Sequence, residues 1–281
     1  MSANDKRDFV MPAADAFASG SDDYRGTRFE RGASTAETLA LVEEAPLALS
    51  YNDRPHAVML LTPTDLEDFA VGFSLSEGIL DAASEVESLD IVPSREGIAA
   101  LMRIPAARAG RLEDIRRNVG GHGGCGLCGI ENLHAAMRPP RVLPRRIAVT
   151  PAAISGAVAL LGGRQVVGER TGAAHAAAFA SVDGNVVAVR EDAGRHNALD
   201  KLIGHLGRAG IDPGTGFLVM TSRGSSELAM KACFAGFELM ATISAPTGLA
   251  VRIAEAAGMT LIGFARDGRF TCYAEASRIR S

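Results

Sequence analysis

Tryptophan is absent from the chain, and aromatic residues make up only 5% of it. Proteins that bind single-stranded nucleic acid stack the bases on aromatic side chains, so the sequence lacks the platforms that such binding needs. The formal net charge is -4, whereas nucleic-acid binders usually carry a basic surface. We therefore predict that nucleic acid is not a partner.

Long apolar runs are also missing. No stretch approaches the roughly 20 apolar residues that a membrane-spanning helix requires. Residues 1–8 do not follow the charged-then-apolar order of a secretory signal. We expect a cytoplasmic protein that does not bind membranes. Its 281 residues, of which 47% are apolar, suffice for one large domain or two modest ones.

Cysteine is scarce, with four in the chain, and in a cytoplasmic protein such residues favour redox, metal or catalytic chemistry over a disulfide frame. Cys125 and Cys128 lie in residues 120–129, which read Gly-Gly-His-Gly-Gly-Cys-Gly-Leu-Cys-Gly. Glycine loses the most backbone freedom on ordering, so we expect a mobile loop there. A thiol on a mobile loop can visit two sites, which suits a carrier.

The Cys-x-x-Cys spacing has four interpretations. It could be half of a zinc site, with His122 or His134 as a third ligand. It could be a thioredoxin-like dithiol, although that motif usually opens a helix. It could contain a nucleophilic cysteine that carries a persulfide, with His122 favouring the thiolate. Finally, it could be a surface loop whose cysteines have no role.

The N-terminal part predicts a disordered tail followed by a small α/β subdomain. Residues 1–32 lack hydrophobic periodicity, so we expect no regular structure in them. Alternating apolar residues predict two short strands in residues 39–51, broken at Pro46. A further strand and a helix follow. Two more strands in residues 86–105 complete the subdomain, which we place at residues 33–118.

A glycine-rich cysteine loop and an arginine-rich linker occupy residues 119–146. Four arginines crowd into the linker: Arg138, Arg141, Arg145 and Arg146. Arginine side chains grip phosphate oxygens in pairs, so they could form a cationic collar for a polyanionic ligand. Alternatively, they belong to a solvated linker that separates two domains.

The C-terminal unit, residues 147–281, predicts strands that alternate with helices. A helix capped by Thr150 opens the unit, a strand leads towards His175, and Asp183 with Gly184 predicts a hairpin. Two strand, turn and helix units and a last core strand follow. This pattern predicts a mostly parallel sheet with helices on both faces.

Ligands of such sheets bind at the carboxyl ends of the strands. Ser222, Arg223, Thr247 and Arg266 follow predicted strands, so we expect them to meet at one edge. His196 lies where a helix starts, and free backbone N–H groups there favour an anion. We predict an anion-binding pocket at this edge.

Several blocks of sequence resemble the formate dehydrogenase accessory sulfurtransferases, the FdhD family. The blocks are Thr62-Pro, Gly72-Phe73, Ser76-Glu-Gly78, Cys125-Gly-Leu-Cys128, Glu191-Asp-Ala-Gly-Arg-His-Asn-Ala-Leu-Asp-Lys201, Ser222-Arg-Gly-Ser with Glu227, Ser244-Ala-Pro-Thr247 and Gly263-Phe-Ala-Arg266. They cover roughly residues 40–280 and occur in the order found in that family.

The resemblance implies a function. Cys125 would accept a persulfide sulfur from a cysteine desulfurase, and Cys128 would assist or resolve. The sulfur would then pass to the bis-molybdopterin guanine dinucleotide cofactor, with molybdenum or tungsten, of a formate dehydrogenase apoenzyme. On this view the protein is a sulfurtransferase without a metal site of its own. The alternative is a cofactor-binding chaperone whose cysteines are incidental.

The resemblance also implies a fold and a binding segment. The C-terminal unit would be a three-layer, cytidine deaminase-like domain, and the protein would form homodimers and bind GDP as a cofactor mimic. The cofactor-binding segment would be Phe264, Ala265, Arg266, Asp267, Gly268 and Arg269. Where the family has Thr-Gly-Gly-Thr-His, this chain has Thr171-Gly-Ala-Ala-His175, which keeps the histidine. Alanines follow His175, so deaminase chemistry is not expected.

Overall fold

The computed structural model describes residues 20–94, 96–116 and 139–280. Cys125 and Cys128 lie outside the described residues, as does residue 138 of the linker. The thiol loop and its four interpretations therefore stay predictions, and so does the tail over residues 1–19.

The first element is an antiparallel hairpin of two ten-residue strands, β1 (Ser21–Glu30) and β2 (Ala33–Val42). Its turn at Arg31 and Gly32 uses positive φ angles of 50° and 85°. The prediction of a disordered tail up to residue 32 is wrong from Ser21 onward. Both faces of the hairpin are largely exposed, so its strands lack the alternation that reveals a half-buried strand.

A four-stranded sheet carries the N-terminal core. Its strands are β3 (Ala45–Tyr51), β4 (Arg54–Leu61), β5 (Ser88–Pro93) and β6 (Ile98–Arg103), in the order β4-β3-β6-β5. Helices α1 (Leu66–Ser76) and α2 (Ala106–Arg116) supply Phe69, Phe73 and Leu112 to the core on one face. The two strands predicted in residues 39–51 are present as the end of β2 and as β3, but the break lies at Glu43 and Glu44, and Pro46 is within β3, opposite Leu60. Proline is tolerated near the start of a strand.

A six-stranded sheet forms the centre of the C-terminal unit. Its strands are β7 (His175–Ser181), β8 (Val186–Asp192), β9 (Gly216–Met220), β10 (Leu239–Thr242), β11 (Thr260–Arg266) and β12 (Arg269–Ala274), in the order β12-β11-β10-β9-β7-β8. Parallel pairing joins β9, β10 and β11, but β7, β8 and β12 pair antiparallel. The prediction of a mostly parallel sheet is wrong, because tight turns connect β7 to β8 and β11 to β12.

Helices cover both faces of this sheet. They are α3 (Pro151–Gly162), α4 (Val166–Thr171), α5 (Arg195–Ala209), α6 (Ser226–Ala235) and α7 (Gly248–Ala257). The core on one face contains side chains of α3, and the core on the other contains side chains of α5, α6 and α7. The predicted cap is present, since the N–H of Ala153 donates to Thr150 Oγ1 at 3.1 Å.

Helix α4 occupies part of the segment where a strand was predicted before His175. Its start is held by Glu191, whose carboxylate accepts hydrogen bonds from the N–H groups of Val167 at 2.9 Å and Gly168 at 2.8 Å. A carboxylate at a helix start accepts hydrogen bonds from the backbone N–H groups that have no partner within the helix. Its negative charge is also favoured by the positive end of the helix dipole. The cap comes from the end of β8, so the local sequence could not reveal it.

The two units meet where α1 crosses α5 at two glycines. A Cβ atom added at Gly72 would lie 1.7 Å from the carbonyl oxygen of Asp200, and one added at Gly204 would lie 1.8 Å from that of Asp68. Any side chain at these positions would overlap backbone. Glycine is therefore required here for the two helix backbones to touch.

Within the described residues, no helix combines the length and the apolar character needed to cross a membrane.

Candidate functional site

Backbone hydrogen bonds join the loops that follow β9 and β10 to each other and to the end of β11. The N–H of Gly224 donates to the carbonyl of Ala245 at 3.2 Å, and the N–H of Thr247 donates back to Gly224 at 2.9 Å. The N–H of Phe264 donates to the carbonyl of Ser244 at 3.2 Å. We call this continuous surface the carboxyl edge. It contains four of the predicted residues, Ser222, Arg223, Thr247 and Phe264.

Two histidines reach the same edge from β7 and α5. Because β7 runs antiparallel to β9, its first residues lie beside the end of β9, and the N–H of Ala176 donates to Thr221 Oγ1 at 2.8 Å. His175 pairs with Asp192 at the end of β8, and α5 begins shortly afterwards. His175 and His196 therefore lie at the carboxyl edge.

The rest of the predicted cofactor segment forms the turn between β11 and β12. The residues are Ala265, Arg266, Asp267, Gly268 and Arg269. Asp267 and Gly268 have φ angles of 53° and 73°, which make the reversal tight. The side chain of Ala265 packs in the core beside α3, whereas those of Arg266 and Arg269 are exposed. The turn thus presents two cations at the end of the sheet.

Arg223 and Arg266 have no carboxylate partner among the described residues. Both are exposed, Arg223 after β9 and Arg266 at the end of β11. A guanidinium without an internal partner keeps all its donors for a ligand, and its fork matches a phosphate or carboxylate. The carboxyl edge is therefore suited to an anion.

Hydroxyl groups at the edge first serve the fold. Ser225 Oγ and Thr247 Oγ1 accept hydrogen bonds from the N–H groups of Leu228 at 3.5 Å and Ala250 at 3.2 Å, which caps α6 and α7. The Ser222 hydroxyl, only 4% exposed, donates to the carbonyl of Arg223 at 3.0 Å. A hydroxyl that accepts a bond still has its proton to donate. Thr247, which is exposed, can therefore donate to a ligand.

His196 is neutral at physiological pH. Burial, followed by the nearby charges of Arg195 and Lys231, lowers its pKa to about 4. Its Nε2 atom is buried and accepts or donates no hydrogen bond among the described residues, and the closest carboxylate, Glu227, lies 4.0 Å away. Burial and Arg195 also lower the pKa of His175. Two uncharged imidazoles therefore line the edge beside the unpaired arginines.

A family model described as FdhD/NarQ family matches residues 42–280. The chain belongs to the FdhD/NarQ family. It is 50% identical over 256 residues to a protein named sulfur carrier protein FdhD from Xanthomonas euvesicatoria pv. vesicatoria (strain 85-10), and the match covers 91% of each chain. A protein of the same name from Cupriavidus necator is 45% identical over 273 residues, which cover 96% of this chain and 95% of the relative.

The fold also matches a solved structure. A crystal structure of a protein assigned as a formate dehydrogenase accessory protein, from Desulfotalea psychrophila, superposes with a TM-score of 0.72. The match covers 92% of this chain and 99% of that chain at 20% sequence identity. At this identity the likeness shows a shared fold.

Much of the FdhD-like block 191–201 is structural. Asp192 is fully buried and accepts hydrogen bonds from the N–H of Thr62 at 2.9 Å and from Asn197 Nδ2 at 3.0 Å. Lys201 Nζ lies 2.8 Å from the Asp192 carboxylate and donates to the carbonyls of Thr62 and Glu191. The block therefore ties the C-terminal unit to the end of β4. Three of its polar residues, Asp192, Asn197 and Lys201, therefore serve packing within the protein.

A second polar cluster lies beneath His196, between α1, α5 and α6. Lys231 Nζ donates to the carboxylates of Asp200 at 2.9 Å and Glu77 at 2.8 Å, and Ser76 Oγ donates to Asp200 at 2.6 Å. Burial opposes the charge of Lys231, but the Asp200 and Glu77 carboxylates outweigh it and raise the pKa. This cluster ties the end of α1 to the middle of α5 and α6. Its members on different helices lie more than 30 residues apart in the chain, so no local sequence pattern reveals it.

Two of the four linker arginines, Arg145 and Arg146, lie away from the carboxyl edge. Arg146 Nε donates to Glu238 at 2.9 Å and its Nη1 donates to Asp212 at 2.6 Å, both next to the amino ends of strands. Arg145 pairs with Glu275 at 2.8 Å. These two arginines hold the start of the C-terminal unit against the sheet, so they do not form part of a collar around the candidate site.

No metal-binding group of three or more His, Cys, Asp or Glu side chains occurs in the described part of the chain. The zinc interpretation involves Cys125 and Cys128, which lie outside it.

Proposed function

We propose that this protein is a sulfur carrier in the maturation of formate dehydrogenase. Family membership and the names of close relatives support a sulfur-carrying role. The observation in the molecule that supports it most is the carboxyl edge, where Arg223, Arg266 and the starts of three helices leave charge and N–H donors free for a large anion.

The chemical step is assigned to Cys125. Its thiolate attacks the outer sulfur of a persulfide on a cysteine desulfurase. A new S–S bond forms on Cys125, the S–S bond of the donor breaks, and the desulfurase cysteine leaves as a thiolate. Cys125 then carries one extra sulfur atom as a persulfide, and Cys128 assists its onward transfer.

The receiving substrate is the bis-molybdopterin guanine dinucleotide cofactor, with molybdenum or tungsten. Its diphosphate groups match the edge chemically, since guanidinium forks and helix N-termini both bind phosphate oxygens. GDP carries the same guanine and diphosphate and should bind as a mimic. In this scheme the C-terminal unit is related to cytidine deaminases, and the protein acts in the cytoplasm as a homodimer, which light scattering would test.

The decisive experiment is persulfide uptake. The protein is incubated with a desulfurase and cysteine, and mass spectrometry should find one added sulfur atom that cyanide removes. Cys125→Ala should abolish the addition of sulfur. Cys272 is a half-buried cysteine in β12, and the control variant Cys272→Ala should still take up the sulfur. Uptake by the Cys125→Ala protein at the wild-type level would refute the assignment.

The chaperone alternative predicts a different result in cells. If the protein only holds the cofactor, a Cys125→Ala, Cys128→Ala double variant should still activate formate dehydrogenase in a strain that lacks the wild-type protein. The carrier proposal predicts an inactive formate dehydrogenase.

A further inference from the structure

The four-stranded sheet of the N-terminal unit has one covered face and one open face. Alternate residues of β3, such as Leu47 and Leu49, are buried in the core that α1 and α2 help to form. The residues between them lie on the other face. Sheets that leave one face in water usually place polar side chains there. In this sheet most positions on the open face are apolar instead.

A row of apolar side chains crosses all the strands on the open face. In the strand register, Ala48 of β3 lies beside Val58 of β4 and Ala99 of β6. Ala99 in turn lies beside Val92 of β5, so the row spans the whole sheet. The other apolar residues of this face are Pro46, Leu60 and Leu101, and we call all seven the outer sheet face. Val58 and Leu60 are 59% and 62% exposed, so they stay open to solvent within the described part of the chain.

Charged side chains border the outer sheet face. Asp90 of β5 lies beside Leu101, and Arg103 follows further along β6 and forms an exposed ion pair with Asp53 at 3.2 Å. An apolar centre with a polar rim is the usual composition of a protein–protein interface. Small-molecule sites are concave, whereas this face is an open sheet surface. The outer sheet face therefore suits a protein partner.

The area of the outer sheet face indicates a transient partner. Four strands about 4.8 Å apart, with about six residues each, span about 20 Å by 20 Å, or about 400 Å² per partner. Stable complexes bury about 800 Å² per partner, whereas transient encounters bury less. An interface of this size fits a protein that binds, hands over its cargo and leaves. A second copy held in a stable dimer would need a larger area.

The segment that contains the thiols is attached to the same unit. Helix α2 precedes it, and α2 is anchored by Leu112 in the N-terminal core and by Arg108 Nε, which donates to Glu85 at 2.9 Å. Cys125 follows Arg116, the last residue of α2, by nine residues, which span at most about 30 Å. This tether exceeds the sheet width of about 20 Å, so it can bring the thiol to a protein docked on the open face.

The two transfer steps need separate surfaces. In the proposed function, the carboxyl edge of the C-terminal unit holds the anionic cofactor. A donor protein on the N-terminal unit leaves that edge free, so Cys125 can be loaded while the cofactor is bound.

We propose that the outer sheet face is the docking surface for the sulfur-donating desulfurase, with Val58, Leu60 and Leu101 as its main apolar contacts. The inference rests on the proposed function, because it takes the partner to be the protein that hands a persulfide sulfur to Cys125.

The test compares two sulfur donors, with uptake on Cys125 followed by mass spectrometry. Leu60→Asp places a charge on the outer sheet face at an exposed position and should slow uptake from the desulfurase about tenfold or more. Inorganic polysulfide needs no docking, since the Cys125 thiolate attacks its terminal sulfur and a shorter polysulfide leaves. Leu60→Asp should therefore take up sulfur from polysulfide at the wild-type rate.

A matched control and a second variant complete the test. Val187→Asp changes an equally apolar, exposed residue of β8 in the C-terminal sheet and should keep the wild-type rate with both donors. Leu101→Asp changes a second residue of the outer sheet face and should behave like Leu60→Asp.

Four results would contradict the inference. Wild-type uptake from the desulfurase by both Leu60→Asp and Leu101→Asp would overturn it and leave the proposed function intact. Loss of uptake from both donors would also overturn it, because the substitution would then act on the thiol and not on docking. A lower molar mass of Leu60→Asp in light scattering would assign the face to a second copy. Failure of the wild type to take up sulfur from the desulfurase would refute the proposed function, and the inference with it.

Discussion

The two ends of the six-stranded sheet are both rich in arginine, but they use it differently. At the amino ends of the strands, Arg278 is 2% exposed and its Nε donates to the buried carboxylate of Glu238 at 3.2 Å, which also accepts from Arg146. At the carboxyl edge, Arg223 and Arg266 have no carboxylate partner within the described residues. The comparison teaches that pairing, rather than the number of charges, separates a structural arginine from a candidate ligand-binding one.

Removing the buried carboxylate at the amino end should have the largest effect. Glu238→Ala leaves Arg278 buried and unpaired, so the free energy of unfolding should fall by about 3–5 kcal/mol. Denaturant unfolding measures the loss. Glu255→Ala, at an exposed position on α7, is the control and should change stability little. If the two variants were equally stable, the pairing of Arg278 with Glu238 would not be structural, and the two ends of the sheet would not differ in this respect.

Acid should destabilise the folded protein through His196, which lies at the carboxyl edge. Its pKa of about 4 in the folded protein is below its ordinary value near 6.5, so the unfolded chain binds more protons between these limits. The free energy of unfolding should therefore decrease as the pH falls from about 6.5 towards 4. In the His196→Gln protein this decrease should be smaller by about 2 kcal/mol, because the titrating group is gone. Unfolding measured across this range in both proteins tests it. Parallel pH profiles would contradict it.

Neutralising an unpaired arginine should change binding and not stability. Arg223→Met should weaken GDP binding about tenfold, or about 1.5 kcal/mol, because a charged hydrogen bond is lost. Its free energy of unfolding should stay within about 0.5 kcal/mol of the wild type. Arg54→Met, in the N-terminal sheet, is the matched control for GDP binding. A large loss of stability in Arg223→Met would place this residue with the structural arginines.

The exposed pair of Arg145 and Glu275 should show the smallest effect. The Arg145 side chain is 64% exposed, so the pair is well solvated. Arg145→Met should lower the free energy of unfolding by no more than about 0.5 kcal/mol and leave GDP binding unchanged. If Arg145→Met bound GDP more weakly than the wild type, the hypothesis that the linker arginines form a cationic collar for the ligand would be supported after all.

Elements with local signals were predicted well from the sequence. The cap at Thr150 is present, as is the hairpin at Asp183 and Gly184, because each depends on residues a few positions apart. The β1–β2 hairpin and α4 were missed. The first exposes both faces and so has no alternation, and the second is capped by Glu191 from another strand.

For the candidate site, the strand ends were predictable and the roles of individual residues were not. Ser222, Arg223 and Thr247 lie together because parallel strands end at one edge. The structural roles of Asp192 and Lys201 depend on contacts with Thr62, more than a hundred residues away in the chain. No local pattern distinguishes a buried polar contact of this kind from a ligand-binding group.

By itself, the sequence determined the family, the alternation of strands and helices and the set of residues at the strand ends, since these follow from motifs and short-range periodicity. Only the tertiary structure decided which charges remain free. Arg146 meets Glu238 at a separation of 92 residues, whereas Arg223 and Arg266 meet no carboxylate in the described part of the chain. Whether a charge is neutralised depends on distances in space, and those are fixed only when the sheets and helices pack.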